Sequence, residues 1–171
     1  NFYGLNQIEL SSEDLVIDVG ANVGIFSIYV KKKFNCRVIS FEPVPQNIEN
    51  FKRNIELNGL NIFDFEIHQT AISNKDGDMI KIGTPIKNSG GSSVFEIGQF
   101  SNDCETQSLK KYLVEGCSYL KIDCEGCEYS VMPDILEDLN NVKFIGIEYH
   151  SYNSSQNAIE LNKTVNEYFK G

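Results

Sequence analysis

Three stretches of this 171-residue chain carry residue types at spacings that could do chemistry. The first is Asp18-Val19-Gly20-Ala21-Asn22-Val23-Gly24, a turn with two glycines directly after an apolar run. Glycine lets the backbone bend sharply and approach a ligand with no side chain in the way. The amides that open a following helix face an anionic group. The second stretch is Glu42-Pro43, where a carboxylate is suited to accept hydrogen bonds from both hydroxyls of an unphosphorylated ribose. The third is acidic: Asp123, Glu125 and Glu128 in one block, with Glu148 and His150 further on. A carboxylate or imidazole within reach of a hydroxyl takes its proton and makes it a nucleophile. On this reading Asp123 or His150 is the base, and Glu125 and Glu148 orient the substrate. Several oxygen donors plus an imidazole also suit a divalent cation. The spacing does not single that role out, and no metal is assigned.

These residues lie far apart in sequence, so secondary structure must bring them together. Leu15-Val16-Ile17 is a continuous apolar run ending in Asp18, as expected of a central parallel strand buried on both faces. A helix then runs to about Lys33, with Ile25, Ile28 and Tyr29 at helical spacing and three lysines in its last turn, where cations favour the dipole. Residues 37–41 form the second strand. Pro45 and Gly59 punctuate a second helix whose apolar face is Ile48, Phe51 and Ile55. Phe63, Phe65 and Ile67 alternate with polar residues and predict a third strand running into Thr70-Ala71-Ile72. Residues 119–123 and 142–148 read as the fourth and fifth strands. A helix over about 128–136, despite Pro133, joins them, and a last helix to about Lys170 presents Ile159, Leu161, Val165 and Phe169.

The rhythm breaks over about 76–104. Short strands at 79–82 and 94–97 flank Asn88-Ser89-Gly90-Gly91-Ser92-Ser93, a flexible loop by composition that could serve as a lid over the acceptor. A short helix near 109–113 follows. The alternation of strands and helices predicts one α/β domain over 1–171, a Rossmann-like three-layer sandwich with a mostly parallel central sheet. Ligands of such sheets bind beyond the carboxyl ends of the strands. Every candidate residue above falls there, as do Thr70 and Ala71.

The turn narrows the ligand. A dinucleotide-binding turn reads Gly-x-Gly-x-x-Gly and cradles a pyrophosphate. Here Asn22 takes the place of the middle glycine, and Asp18 lies two residues before Gly20. An acid there repels a pyrophosphate but suits the cationic ammonium and sulfonium of S-adenosylmethionine. A nicotinamide oxidoreductase therefore fits less well, and a non-catalytic adenosyl-binding module is a further alternative. A DNA or RNA N-methyltransferase would favour an Asn/Asp-Pro-Pro-aromatic tetrapeptide, which the sequence lacks. Each feature alone also reads as structure: a turn glycine, a solvated strand-end Glu, an acid opening a helix, an exposed loop His.

The net charge is −9. No basic run is available for a phosphate backbone, which argues against nucleic acid and for a small-molecule or glycan acceptor. No stretch approaches the roughly 20 apolar residues of a membrane span, and no leader pattern opens the chain, which begins at Asn1. The five cysteines, Cys36, Cys104, Cys117, Cys124 and Cys127, do not read as a disulfide framework and suit a reducing, cytoplasmic setting. Cys124-Glu125-Gly126-Cys127 has the form of a redox or zinc pair. With no second pair at metal spacing, two small residues beside a packed turn is the simpler reading. Lys121, inside a strand, is expected to pair with a neighbouring acid, and His68 to be structural.

Four blocks together carry a family resemblance: Val16 to Gly24; Phe41-Glu42-Pro43; Leu120-Lys121-Ile122-Asp123-Cys124-Glu125-Gly126-Cys127-Glu128; and Ile147-Glu148-Tyr149-His150. In order and spacing the chain resembles the FkbM-type methyltransferases over roughly residues 12–150. The first block is shared by many class I methyltransferases, and the Lys-Ile-Asp-x-Glu-Gly-x-Glu block is far more particular. The resemblance implies S-adenosylmethionine as donor and O-methylation of sugars or natural products. It places Asp18, Gly20, Ala21, Asn22 and Gly24 at the methionine end, with Asp123 beside them. Glu42 and Pro43 fall at the ribose, and Thr70 and Ala71 near the adenine. Class I enzymes continue past the fifth strand into a further helix and an antiparallel strand pair, which this chain is expected to lack.

Overall fold

The computed structural model describes residues 3–84, 100–150 and 155–168. In chain order the elements are β1 (Leu15–Val19), α1 (Ile25–Phe34), β2 (Arg37–Phe41), α2 (Pro45–Leu57), β3 (Glu66–His68), β4 (Ala71–Ile72), β5 (Met79–Thr84), β6 (Phe100–Gln107), α3 (Lys110–Leu113), β7 (Cys117–Ile122), α4 (Glu128–Ile135), β8 (Val142–Ile147) and α5 (Ser155–Tyr168). Five strands form a parallel sheet in the order β3-β2-β1-β7-β8. The chain builds outward from β1 to β3, then returns to the other side of β1 with β7. That reversal makes a switch point between β1 and β7, where parallel sheets open a crevice for ligands.

The apolar runs form strands because both faces of the sheet are covered. Side chains alternate between the faces. Ile17, Val19, Ile39, Phe41, Leu120 and Ile122 pack on one side against Val131, Met132 and Ile135 of α4 and Leu161 and Val165 of α5. Val16, Val38 and Tyr119 pack on the other against Phe26, Ile28 and Val30 of α1 and Phe51 and Ile55 of α2. All six residues of β7 are buried. Truncating a central one such as Leu120, 0% exposed, to Ala would cost about 2–5 kcal/mol in lost burial and residual cavity.

The expected three-layer α/β architecture is present, with local differences. α2 begins at Pro45, and Gly59 follows it with φ +71°, as its punctuation predicts. The alternation of Phe63, Phe65 and Ile67 does not make one strand. Asn61 accepts a hydrogen bond from the Phe63 amide at 3.1 Å and starts a 3-10 turn over Ile62–Asp64. Phe63 is therefore 90% exposed, and β3 is confined to Glu66–His68. Pro133 sits inside α4. Lacking an amide hydrogen and clashing with the preceding turn, it leaves a short helix that tightens into a 3-10 segment over Leu136–Asn141.

A smaller sheet in the order β4-β6-β5 holds the first of the two expected short strands. β5 covers the predicted strand at 79–82 and pairs antiparallel with β6, from Met79 opposite Glu105 to Thr84 opposite Phe100. β6 also pairs in parallel with β4, Ala71 opposite Thr106. The predicted strand at 94–97, the Asn88 to Ser93 loop and Phe169 lie outside the described residues. Among the described residues no helix is long and apolar enough to cross a membrane.

Candidate active site

The carboxyl edge of the parallel sheet borders a cleft of about 680 Å3, part of it open to solvent. Gly20, Asn22, Glu42, Pro43, Thr70, Ala71, Asp123 and Glu125 all line it, as the sequence reading expects. Asn47, Ile72, Ile80 and Ile82 are among the other residues of the wall and were not expected there. Their apolar atoms give the cleft a dry flank made by α2 and the small sheet. Asn47 lies five residues after Glu42, in the first turn of α2, which is the one sequence signal that marks it.

Asp18 does not line this cleft. It is 0% exposed and lies beneath the turn, on the α1 side of the sheet. Ser27 of α1 donates to its Oδ2 at 2.6 Å and also contacts Ser40 at 2.8 Å. Lys121 of β7 stands 3.0 Å from Asp18 Oδ1, as that lysine's strand position predicts, and donates to the Gly20 carbonyl at 2.8 Å. Burial opposes the Lys121 charge, but Asp18 and Asp123 outweigh it and hold its pKa above the ordinary value. The acid expected beside a cationic ligand is instead the buried half of an ion pair that ties the turn to β7.

The two turn glycines are needed for packing within the fold. Gly20 has φ +75°, and a Cβ there would lie 1.8 Å from the Asp123 carbonyl oxygen. Gly24, at φ +81°, caps α1, and its Cβ would strike the Phe51 ring. Ala21 is buried against the α1 and α2 side chains and faces a shallow depression on the other side of the turn. So Gly20 and Asn22 of the turn reach the cleft, whereas Asp18, Ala21 and Gly24 support it from behind.

Glu42 is 4% exposed. Its Oε2 accepts from the Asn22 amide at 2.8 Å, and its Oε1 from the Val44 amide at 2.9 Å and Asn47 Nδ2 at 3.0 Å. Burial pushes its pKa up, against these three hydrogen bonds. A carboxylate has about four acceptor positions, so the three bonds leave room for one ligand hydroxyl rather than two. Asn22 Oδ1 and Asn47 Oδ1 are buried with no hydrogen-bond partner among the described residues. Buried acceptors of this kind are normally satisfied, and both belong to residues that line the cleft. They suit a ligand rich in N–H and O–H donors, as an adenosyl amino acid is.

Asp123 and Glu125 of the cleft wall converge with Glu148 and His150, which do not line the cleft. His150 Nδ1 is 2.7 Å from Glu128 Oε1, and Nε2 lies 3.7 Å from Asp123, 3.5 Å from Glu125 and 3.9 Å from Glu148. The Glu128 hydrogen bond raises the imidazole pKa to about 8, against the effect of burial. Glu128, expected to open a helix, does so while wholly buried. Tyr3, from outside every expected motif, donates to Asp123 Oδ2 at 2.7 Å and lies 3.0 Å from Glu148 Oε2. Burial, followed by these two acids, drives its phenol pKa up. No periodicity surrounds Tyr3, so nothing in the sequence marks it.

Cys124 and Cys127 form a disulfide, with Cα atoms 5.5 Å apart, and both line the cleft. This corrects the expectation of two unlinked small residues. Glu125 at φ +54° and Gly126 at φ +111° curl the intervening chain so that the sulfurs meet. Cys36, Cys104 and Cys117 are buried thiols. His68 is structural as expected, stacked on Phe41 with ring centroids 5.0 Å apart and bonded to Glu66.

A family model described as the methyltransferase FkbM domain matches residues 18–170. Hexuronic acid methyltransferase AglP of Haloferax volcanii is 25% identical over 147 residues, covering 84% of this chain and 59% of the relative. Methyltransferase sdnD of Sordaria araneosa is 40% identical over 50 residues, 29% of this chain and 19% of the relative. The chain thus spans less than two thirds of either. Among solved structures, methyltransferase FkbM of Methylobacillus flagellatus superposes with a TM-score of 0.66 at 14% identity, over 98% of this chain and 41% of that one. An rRNA methylase of Streptococcus thermophilus superposes with a TM-score of 0.54, also at 14% identity, over 99% of this chain and 75% of that one. At such identities the likeness concerns the fold.

Proposed function

The chain belongs to the FkbM methyltransferase family, and from that membership we propose an S-adenosylmethionine-dependent O-methyltransferase acting on a hydroxyl of a sugar or other small molecule. The observation that carries this reading is the division of one cleft. Glu42 and the orphaned oxygens of Asn22 and Asn47 occupy one part of it, and Asp123 and Glu125, with His150 directly behind them, the other. When bound, S-adenosylmethionine supplies an electrophilic methyl group on a sulfonium.

The chain's own residues do the rest. Glu42 accepts one ribose hydroxyl, and Asn22 and Asn47 accept further donors. The apolar flank of Ile72, Ile80 and Ile82 covers the base and keeps water from it. Asp123 or His150 takes the proton of an acceptor hydroxyl placed beside them, which makes the oxygen nucleophilic. Glu125 and Glu148 orient the acceptor. Nucleic acid is a poor fit, because a net charge of −9 and an acidic mouth repel phosphate. A sugar acceptor agrees with the name of the Haloferax relative, a hexuronic acid methyltransferase.

The reading is tested by incubating the chain with S-adenosylmethionine and a panel of sugars, hexuronic acids and small alcohols, with mass-spectrometric detection of methylated products. A methyl ether that disappears in Asp123→Asn and His150→Ala supports it. Turnover unchanged in both variants, with cofactor binding intact, removes both residues from the chemistry.

A further inference from the structure

We propose that the Cys124–Cys127 bond is a redox switch on the cleft: an external dithiol opens it, a disulfide oxidant remakes it, and its closed form holds Glu125 in the cleft wall. The bond links residues three apart in sequence, both in the turn between β7 and α4. It therefore ties no two elements of the fold together. The chain entropy that a disulfide removes grows with the length of the ring it closes, so a ring this small adds little to global stability. Its effect is local, and its place is the wall of the cleft, where Cys124, Glu125 and Cys127 all lie.

What the bond holds is a strained turn. Glu125 lies at φ +54°. For a residue with a side chain, the left-handed region is disfavoured by a factor of about 5–30 in population. Such a residue persists where its surroundings over-determine it, and the link between the two flanking sulfurs is one such constraint. In this conformation Glu125 Oε2 stands 3.5 Å from His150 Nε2. The strained turn also packs on the glycine turn: a Cβ on Gly20 would meet the Asp123 carbonyl oxygen at 1.8 Å and Cys124 Cα at 3.2 Å. With the bond open, Glu125 relaxes toward right-handed angles, its carboxylate leaves His150, and the wall changes shape against Gly20.

The bond lies within reach of a reductant. Cys124 is only partly buried, and the cleft it lines is open to solvent in part. A thiolate of the dithiol attacks the Cys124 sulfur, forms a mixed disulfide and expels the Cys127 thiolate. The second thiolate of the dithiol then attacks the reductant's own sulfur in that mixed disulfide, expels the Cys124 thiolate and leaves the reductant as a cyclic disulfide. Two electrons pass to the chain, and the two protons of the dithiol end on Cys124 and Cys127. A disulfide oxidant reverses both steps. The other cysteines take no part. Cys36, Cys104 and Cys117 are buried thiols, and burial pushes the pKa of Cys36 up to about 11 and that of Cys117 up to about 12. Exchange needs a thiolate, which such surroundings suppress.

The test compares the oxidised chain, the chain reduced with excess dithiothreitol, and the double variant Cys124→Ser/Cys127→Ser, which has no bond to break. Alkylation of the folded, reduced chain, read by mass spectrometry, should label Cys124 and Cys127 and spare the three buried cysteines. Labelling of neither overturns the inference. Calorimetry with S-adenosylhomocysteine should show binding about 5–30-fold weaker in the reduced chain and in the double variant, because only the fraction that keeps Glu125 left-handed binds fully. Dithiothreitol should leave the affinity of the double variant unchanged. Equal affinity of the oxidised and reduced chains overturns the inference. The calorimetry rests on the function proposed above. No binding in any state defeats that function, and a nuclear magnetic resonance titration of His150 then decides on the switch. The Glu128 hydrogen bond and, against burial, the Glu125 charge hold that imidazole at a pKa of about 8. A lower value in the reduced chain upholds the switch, and one titration curve for both states defeats it.

Discussion

Replacing Lys121 with Met tests how the turn is held. The methionine keeps most of the stem and removes the charged, hydrogen-bonding ammonium. Asp18, 0% exposed, then loses the cation 3.0 Å away, and the Gly20 carbonyl loses its 2.8 Å hydrogen bond. Removing one partner of a buried pair costs about 3–5 kcal/mol, because the remaining charge is stranded in a medium that solvates it poorly. The Ser27 hydrogen bond to Asp18 survives, which favours the lower half of that range. For a domain of this length each kcal/mol moves the melting temperature about 2–4 °C, so the variant should melt about 6–20 °C lower. Urea denaturation followed by circular dichroism measures the loss directly. Adding Asp18→Asn removes the stranded charge, so the double variant should be more stable than the sum of the two single losses implies, by about 0.5–3 kcal/mol. A loss below about 1 kcal/mol, typical of a surface pair, or strict additivity of the two substitutions, would refute the reasoning.

Three further outcomes are expected. Gly20→Ala places a Cβ 1.8 Å from the Asp123 carbonyl at φ +75°. It should cost at least about 2 kcal/mol through strain and overpacking and weaken cofactor binding more than tenfold; calorimetry with unchanged affinity would show the turn to be dispensable. Glu42→Gln turns its NH2 toward an N–H donor, either the Asn22 backbone amide or the Val44 backbone amide with Asn47 Nδ2, with an expected stability loss of about 1–3 kcal/mol and a tenfold or greater fall in cofactor affinity. Asp14 accepts hydrogen bonds from Ser118, Ser11 and Lys143, which hold its pKa well below the ordinary value. That stabilisation is complete above the unfolded pKa of about 3.9 and is lost as pH falls toward the folded value. Asp14→Asn should therefore flatten the acid limb of a melting-temperature profile, and an unaltered limb would contradict the assignment.

The parallel sheet was legible because Leu15-Val16-Ile17 is a continuous apolar run, the pattern of a strand covered on both faces, and because strand-like and helix-like segments alternate on either side of it. The ends of those strands therefore located the cleft before any geometry was known. The direction of Asp18 was not legible. A strand-end acid turns toward a ligand or into a layer according to what lies beneath it, here Ser27 and Lys121, the latter supplied by a strand a hundred residues away. β6 was missed because Ser101, Asn102, Asp103 and Glu105 give it no apolar alternation. Its pairing with β4 and β5 is a tertiary event. The Cys124–Cys127 bond depends on the positive φ angles of Glu125 and Gly126, which sequence spacing does not reveal. Tyr3 enters the acid cluster from the start of the described chain, where there is no repeat or cap to betray it.

The central claim is that the cleft takes an adenosyl amino acid, and melting curves with S-adenosylmethionine, S-adenosylhomocysteine and NAD test it most directly. A ligand that binds only the folded state at about 100 times its Kd adds about 2.7 kcal/mol, or roughly 5–11 °C for a domain of this size. A rise of that order is expected with both adenosyl ligands and none with NAD. Stabilisation by NAD alone, or by none of the three, would contradict it.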